Sequence, residues 1–386
     1  DENGVCGLVC LDKKTGSFQV FRCGSIVLAT GGPAGIYADS VYPHCHTGST
    51  GLALDAGASL QNMTEWQYGL ASVNPRWNVS GTYMQVLPRF VSVDENGTER
   101  EFLAEYFADP YEALTAVFLK GYQWPFDTRK LEGSSRIDLL VAAEIKKGNR
   151  VYLDYTRNPR GLEKGFAILP SEAYDYLARS EALFGTPIQR LEHMNRGAVE
   201  LYADHGIDLH TDRLEIAVCA QHINGGVAVD AHWESTVKGL YAAGECAGTF
   251  GVYRPGGSAL NATQVGSLRA AEHIAAQKDR SLPERFDYTM TVTSDAADVD
   301  QLRAIGDELR RGMSLFAAFD RDTERMKELL TRVRGYLEEL RVEDTFCYEK
   351  FTLWNQLLTT REILSAMLCS AEAAGSHGSA LVDRRA

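Results

Sequence analysis

The sequence predicts an α/β chain in which two separated segments build one sheet-bearing domain, an α+β domain is inserted between them, and a helical domain follows. Three observations lead there. Residues 25–30 are an apolar, β-branched run ended by two glycines, and "KGLYAAGE" at 238–245 repeats the device much later in the chain. A buried strand running into a tight turn has this composition. From about residue 285 onward, apolar side chains recur instead at helical spacing.

The elements follow in order. "GVCGLVCLD", the turn "KKTG" and "SFQVFRCGSIVLATGG" read as strand, turn, strand and strand over residues 4–30. "TGLALDAGASL", from Thr50 to Leu60, has the spacing of a short helix closed by Gly57. Residues 61–215 mix aromatic-rich loops with helical stretches near 102–120 and 135–147, and strand-rich composition returns at about 216. Three stripes close the chain: Leu302, Ile305, Leu309 and Phe316; then Met326, Leu329, Leu330, Val333, Leu337 and Leu340; then Leu357, Leu358, Ile363, Leu364, Met367 and Leu368, in a helix expected to end at Gly375. These are read as core faces and carry no chemistry. The expected divisions are 1–60 and 216–275 for the first domain, 61–215 for the insertion and 276–386 for the helical domain.

With 386 residues, 45% hydrophobic and 24% charged, the chain is long enough for two or three domains. A formal charge of −13 argues against a nucleic-acid or anionic-membrane surface. No run of some twenty apolar residues offers a membrane span. The eight cysteines are scattered without a CxxC pair, which suits a reduced, cytoplasmic setting. His44, Cys45 and His46 form "HCH", but no further ligand lies near in sequence, so no metal is expected.

Seven blocks carry a resemblance: "SIVLATGG", "HTGSTGLALDAGASLQNMTEWQY", "HINGGVAVD", "VKGLYAAGECAG", "YRPGGSALNATQVGSLRAAEHI", "ELRRGMSLF" and "AEAAGSHGSAL". In this order and spacing they resemble the flavoprotein subunits of the fumarate reductase and succinate dehydrogenase family, across nearly the whole chain. The resemblance implies FAD as cofactor, a small-molecule substrate and a Rossmann-like FAD-binding domain with a capping domain inserted in it. Family members open with a GxGxxG loop that holds the FAD pyrophosphate at a helix N-terminus. No GxGxxG occurs in these residues. The FAD-binding domain is therefore expected to be incomplete, with weak FAD binding unless an N-terminal segment or a second polypeptide completes it.

The same resemblance implies roles for individual residues. Arg254 occupies the position of an arginine that holds a substrate carboxylate, a task suited to its planar fork of donors. His222, in "HINGG", matches a histidine that donates to the substrate's carboxylate or carbonyl, with Gly225 and Gly226 keeping the backbone close to the ligand. Glu245 matches a glutamate bonded to the ribityl chain, and Thr30, Gly31 and Gly32 a turn against the FAD. Ser258, Ala259, Leu260 and Asn261 align with contacts to the isoalloxazine at the start of a helix whose N–H groups would favour negative charge on the reduced ring.

Departures from the family pattern point to another substrate. Ser49 in "TGSTG" stands where the family has an aspartate near the FAD, and Gly69 in "QYGLAS" where fumarate-acting members have a substrate-binding histidine. "MQVLPRFVSV" replaces a stretch whose glutamate serves proton delivery. For the proton donor, Arg136 in "KLEGSSRIDLL" stands nearest the expected place, with Arg129, Arg89, Arg76, Tyr83 and Tyr68 as alternatives. The expected reaction is hydride transfer between flavin N5 and an unsaturated carboxylic acid other than fumarate, fed by an external electron donor. Oxidation of an amine or hydroxy acid, and a non-catalytic chain without FAD, are the competing readings.

Overall fold

Residues 2–43, 46–277, 282, 291–292, 296–340, 345–374 and 378–383 are described by the computed structural model. Gly375, the expected helix end, and His44 and Cys45 of the "HCH" stretch lie outside them. Two compact units emerge, one of Asp1–Ala38, Tyr42–Gln67 and His222–Ala386, the other of Asp39–Val41 and Tyr68–Gln221.

Strands β1 (Gly7–Leu11) and β2 (Phe18–Arg22) form an antiparallel hairpin, Gly7 opposite Arg22. Asp12 shapes its turn by accepting from the Lys14 and Thr15 N–H groups (2.8 and 3.3 Å), and Gly16 supplies a φ of +70°. Next come β3 (Ile26–Leu28), α1 (Thr50–Asp55), β4 (Leu60–Gln61) and β5 (Trp66–Ser72).

The second unit holds β6 (Trp77–Asn78), α2 (Thr82–Gln85), β7 (Arg89–Val93), β8 (Glu99–Arg100), α3 (Leu103–Tyr106), α4 (Pro110–Lys120), α5 (Ser134–Lys146), β9 (Arg150–Asp154), α6 (Ser171–Arg179) and α7 (Pro187–Ala203). With β10 (Leu214–Ile223) they give a six-stranded sheet in the order β6-β5-β10-β9-β7-β8. Phe90 pairs across to Leu153 and both are buried. The helical stretch expected near 102–120 is divided into α3 and α4, and Asp109 caps α4 by accepting from the Tyr111 N–H at 2.9 Å while Pro110 takes the first turn, where its missing N–H costs nothing. Between α4 and α5 the Lys120 ammonium and the Asp138 carboxylate form an ion pair, both side chains at most 1% exposed. Lys120 Nζ also donates to the Trp124 carbonyl at 2.6 Å.

The chain then adds β11 (Gly226–Val227), β12 (Leu240–Ala242), α8 (Ser258–Ala276), α9 (Ala296–Phe316), α10 (Thr323–Glu339) and α11 (Tyr348–Ala374) to the first unit. The two apolar runs ending in small residues do meet: β12 lies parallel to β3, Leu240 beside Ile26 and Ala242 beside Leu28. Parallel neighbours need a long connection, and here it contains the whole second unit. Leu28, Ala53, Ala58, Val227, Leu240, Ala242, Cys246 and Ala247 form one core cluster around the pair. The stripes of α10 and α11 are largely core faces, since Met326, Leu329, Val333, Leu357, Ile363, Leu364 and Met367 are fully buried, each contributing on the order of 1.5–3 kcal/mol; in α9 Leu309 is buried while Leu302, Ile305 and Phe316, like Leu337 and Leu340 farther on, are half-buried. Among the described residues no helix is long and apolar enough to cross a membrane.

Candidate active site

Strand β10 ends at Ile223, and "HINGG" follows as a tight bend. Its glycines lie against the protein's own backbone. A Cβ at Gly225 would run into the Asn62 carbonyl, and one at Gly226 into the Cys246 carbonyl. These close backbone approaches fix the bend and set His222 in place.

His222 is 7% exposed. Its Nδ1 lies 3.2 Å from Asn224 Oδ1, and its edge meets the Phe250 ring at 4.9 Å and 82°. Nε2 is buried with no partner among the described residues. Burial, and then the nearby Arg254 charge, push the imidazole down to about 3, so the ring is neutral at physiological pH.

Arg254 stands just before α8. Its Nε and Nη2 donate to Gln67 Oε1 at 3.1 and 2.6 Å, while Gln67 Nε2 donates back to the Arg254 carbonyl at 3.4 Å. Burial lowers the guanidinium from its usual value, and the fields of Glu245 and Tyr42 oppose that shift. A guanidinium nevertheless stays protonated. No ion pair engages it among the described residues, so a neutral amide grips one edge and the charge is left for another partner.

Glu245, on the 3-10 turn Gly244–Cys246, joins three segments of the unit. Its Oε2 accepts from the Tyr42 hydroxyl at 2.6 Å and its Oε1 from the Ile223 N–H at 2.9 Å, with the Gly32 N–H as a further donor. Burial raises its pKa despite these bonds. Tyr42 is raised too, first by burial and then by that carboxylate, and stacks on His46 at 4.9 Å. Gly31, at φ +70°, leaves room for the His46 ring, whose Nε2 would sit 2.5 Å from a Cβ there. Gly32 and Gly48 also lie close: a Cβ at Gly48 would sit 3.2 Å from the Gly32 carbonyl carbon. Thr30 is exposed beside them, and Ser49 is the N-cap residue of α1 without a side-chain cap bond.

Helix α8 begins after Gly257, which takes a left-handed φ of +76° as N-cap with no side-chain cap. The first-turn N–H groups are thus not closed off by a neighbouring side chain. Ser258 turns back to the Pro255 carbonyl (2.7 Å), Ala259 is half-buried, and Asn261 and Leu260 are exposed, Leu260 at 76%. Only Gly266 and Ala270 of this helix are buried.

Arg136 lies on α5 in the second unit, donating to the Tyr106 carbonyl at 2.8 Å with its guanidinium 4.4 Å over the Phe107 ring. Arg129 is paired with Asp127, Arg89 with Glu101 and Asp154, and Arg76 donates to the Ser40 carbonyl. Gly69 is also in that unit, where a Cβ would meet Trp124 Cε3 at 2.8 Å and the Trp124 carbonyl at 2.9 Å. Among the described residues no cluster of His, Cys, Asp and Glu could hold a metal. Gln67, Asn224, Tyr42 and Phe250 escaped the sequence reading. Gln67 and Asn224 stand inside recognised blocks, but nothing in their local pattern marks them.

Residues 1–260 match the family model described as FAD binding domain. The chain belongs to that family. This flavoprotein is 25% identical over 98% of its length to a fumarate reductase (CoM/CoB) subunit from Methanothermobacter marburgensis, and 26% identical over 97% to an L-aspartate oxidase of Bacillus subtilis. It spans 64% and 61% of those two proteins, less than two thirds of either. An E. coli quinol fumarate reductase FrdA structure matches the whole chain at TM-score 0.63 and 20% identity, covering 64% of that protein. A Mycobacterium smegmatis Sdh1 structure matches 99% at TM-score 0.61 and 21% identity. These two establish likeness of fold. FAD is the cofactor of the family, and the residues present leave a flat, partly anionic group an α8 start without a side-chain cap, an exposed Leu260 and an exposed Thr30, beside a turn where Gly48 meets the Gly32 backbone and the His46 and Glu245 side chains lie against Gly31 and Gly32.

Proposed function

We propose that this flavoprotein is an oxidoreductase acting on a small organic acid, with hydride exchanged at a carbon next to the carboxylate. The observation that supports this most is the state of Arg254, a cation held by a neutral amide and paired with no carboxylate among the described residues. Gln67 Oε1 spans Nε and Nη2, which leaves the Nη1 and Nη2 edge to take both oxygens of an incoming carboxylate. His222 feels that charge, which helps to keep its imidazole neutral, and would order the rest of the substrate.

FAD, when bound, supplies the site that takes or gives hydride. Thr30, Gly31, Gly32 and Ser49 would line it, and Glu245 would hold the turn that they form. Ser258, Ala259, Leu260 and Asn261 would face the ring at the start of α8, where first-turn N–H groups favour negative charge. A polypeptide segment carrying the phosphate cradle, and an electron donor, are further parts of the proposal. Fumarate and succinate are disfavoured as substrates, because Gly69 stands where a binding histidine would be needed and its side-chain space is filled by Trp124. Arg136 keeps only a weak claim on proton delivery, its guanidinium being taken by Tyr106 and Phe107.

Titration of the flavin-loaded protein with small carboxylates tests the anchor. Arg254→Ala should retain flavin and lose carboxylate binding, and Arg254→Lys should recover only part of it. Unchanged affinity in Arg254→Ala would refute the assignment. Oxidation of a hydroxy or amino acid is the second reading, favoured by the unpartnered Nε2 of a neutral His222.

A further inference from the structure

Asn224 lies two residues beyond His222. Its Nδ2 faces the Val252 carbonyl at 3.1 Å. A carbonyl only accepts, so that contact orients the amide and turns Oδ1 toward His222 Nδ1, 3.2 Å away. Oδ1 also only accepts, and the shared hydrogen must therefore sit on Nδ1. Phe250 holds the plane of the ring by its edge contact. What remains is Nε2, buried and without a partner among the described residues.

On a neutral ring with Nδ1 protonated, Nε2 presents a lone pair. A carboxylate or carbonyl oxygen cannot donate to it, so the donor role expected for His222 from the sequence does not follow from this hydrogen-bond pattern. A hydroxyl or an ammonium could donate. Arg254, whose positive field already disfavours a charged imidazole, disfavours an ammonium at the same place. A neutral hydroxyl carries no such penalty.

We propose that Asn224 is a positioning residue that fixes His222 as its Nδ1–H tautomer, and that Nε2 accepts a hydrogen bond from the hydroxyl of a 2-hydroxy acid whose carboxylate lies on Arg254. The assignment rests on the reading of Arg254 as carboxylate anchor. It narrows the substrate to acids that bring their own donor, and it makes the family's unsaturated acids poor ligands here. Satisfying a buried acceptor in this way is worth roughly five- to tenfold in affinity.

The test uses the flavin-loaded protein labelled with 15N-histidine, and lactate, alanine and propionate as probes. Long-range 1H–15N correlation, with His222→Gln to assign the signals, should show Nδ1 as the donor nitrogen and Nε2 as the acceptor at pH 7. Lactate should move the Nε2 signal and bind about five- to tenfold tighter than propionate by calorimetry, with alanine no tighter than propionate. Asn224→Leu should mix the tautomers and erase the advantage of lactate while propionate binding stays within about twofold. Asn224→Asp, which keeps an acceptor facing Nδ1, should keep the tautomer. A protonated Nε2 in the unmodified protein, or equal affinity for lactate and propionate, overturns the proposal. Arg254→Lys separates the two readings: it should weaken all three acids alike, and if it does not, the anchor fails while the nitrogen shifts still judge Asn224. If none of the acids binds, anchor and hydroxyl assignment fall together.

Discussion

Replacing Gln67 by glutamate changes one atom pair and reverses the electrostatics of the anchor. Gln67 Oε1 now accepts two bonds from the Arg254 guanidinium, at 3.1 and 2.6 Å. Bonds to a charged group contribute about 1.5–3 kcal/mol each in favourable settings. Gln67→Glu keeps both and adds an ion pair while losing only the long 3.4 Å bond from Gln67 Nε2 to the Arg254 carbonyl, so the net cost to the fold should be small. The cation, however, would already be neutralised. A substrate carboxylate arriving on the far edge would lie within several ångströms of the introduced one, and like charges about 4 Å apart repel by about 4 kcal/mol at an effective dielectric of about 20. Arg254 is half-exposed, so screening reduces this to roughly 1–2 kcal/mol, or about a five- to thirtyfold loss of affinity. Calorimetric titration with a small carboxylate at low and high salt measures it, and the loss should shrink as salt rises. Gln67→Leu is the control, removing position without adding charge, and should cost less and show no added salt dependence. Affinity within twofold of the unmodified protein in Gln67→Glu would refute the carboxylate role of Arg254.

Other outcomes follow from the same geometry. Lys120→Met leaves Asp138 buried without its cation and should destabilise the protein by about 3–5 kcal/mol, whereas Lys120→Met with Asp138→Leu should regain most of that; urea midpoints at constant m-value decide. Gly69→Ala forces a Cβ against Trp124 Cε3 and its carbonyl, at a cost of about 1–3 kcal/mol read as a lowered Tm. His222 titrates near 3 when folded and near 6.5 when unfolded, so between those values the unfolded chain binds more protons and stability falls as pH drops. His222→Gln should flatten that slope in denaturant titrations between about pH 6.5 and pH 4.

Much of the first unit was legible because its signals are local. The run Ile26–Leu28 and its counterpart Leu240–Ala242 are strands for the same reason, a short apolar stretch stopped by small residues, and the structure pairs them directly. The stripes of α9, α10 and α11 announced which faces would be buried. Glycine marks a close approach without saying what approaches, and at Gly225 and Gly226 the protein atoms nearest are the backbone at Asn62 and Cys246. Arg136 illustrates the same limit: an arginine near a helix start carries no record of the neighbours that folding sets against it, here the Tyr106 carbonyl and the Phe107 ring.

The sequence alone therefore determined the α/β class, the helical end and the presence of an arginine and a histidine in blocks of a flavoprotein. Hydrophobic spacing and residue type carry that information along the chain. Only the tertiary structure decided that Gln67 holds Arg254 across 187 positions, that Tyr42 and Glu245 share a hydrogen across 203, and that the Val252 carbonyl sets the tautomer of His222 through Asn224. A polar side chain bonds whichever partner folding brings within about 3 Å, and periodicity along one segment holds no record of which distant segment that is.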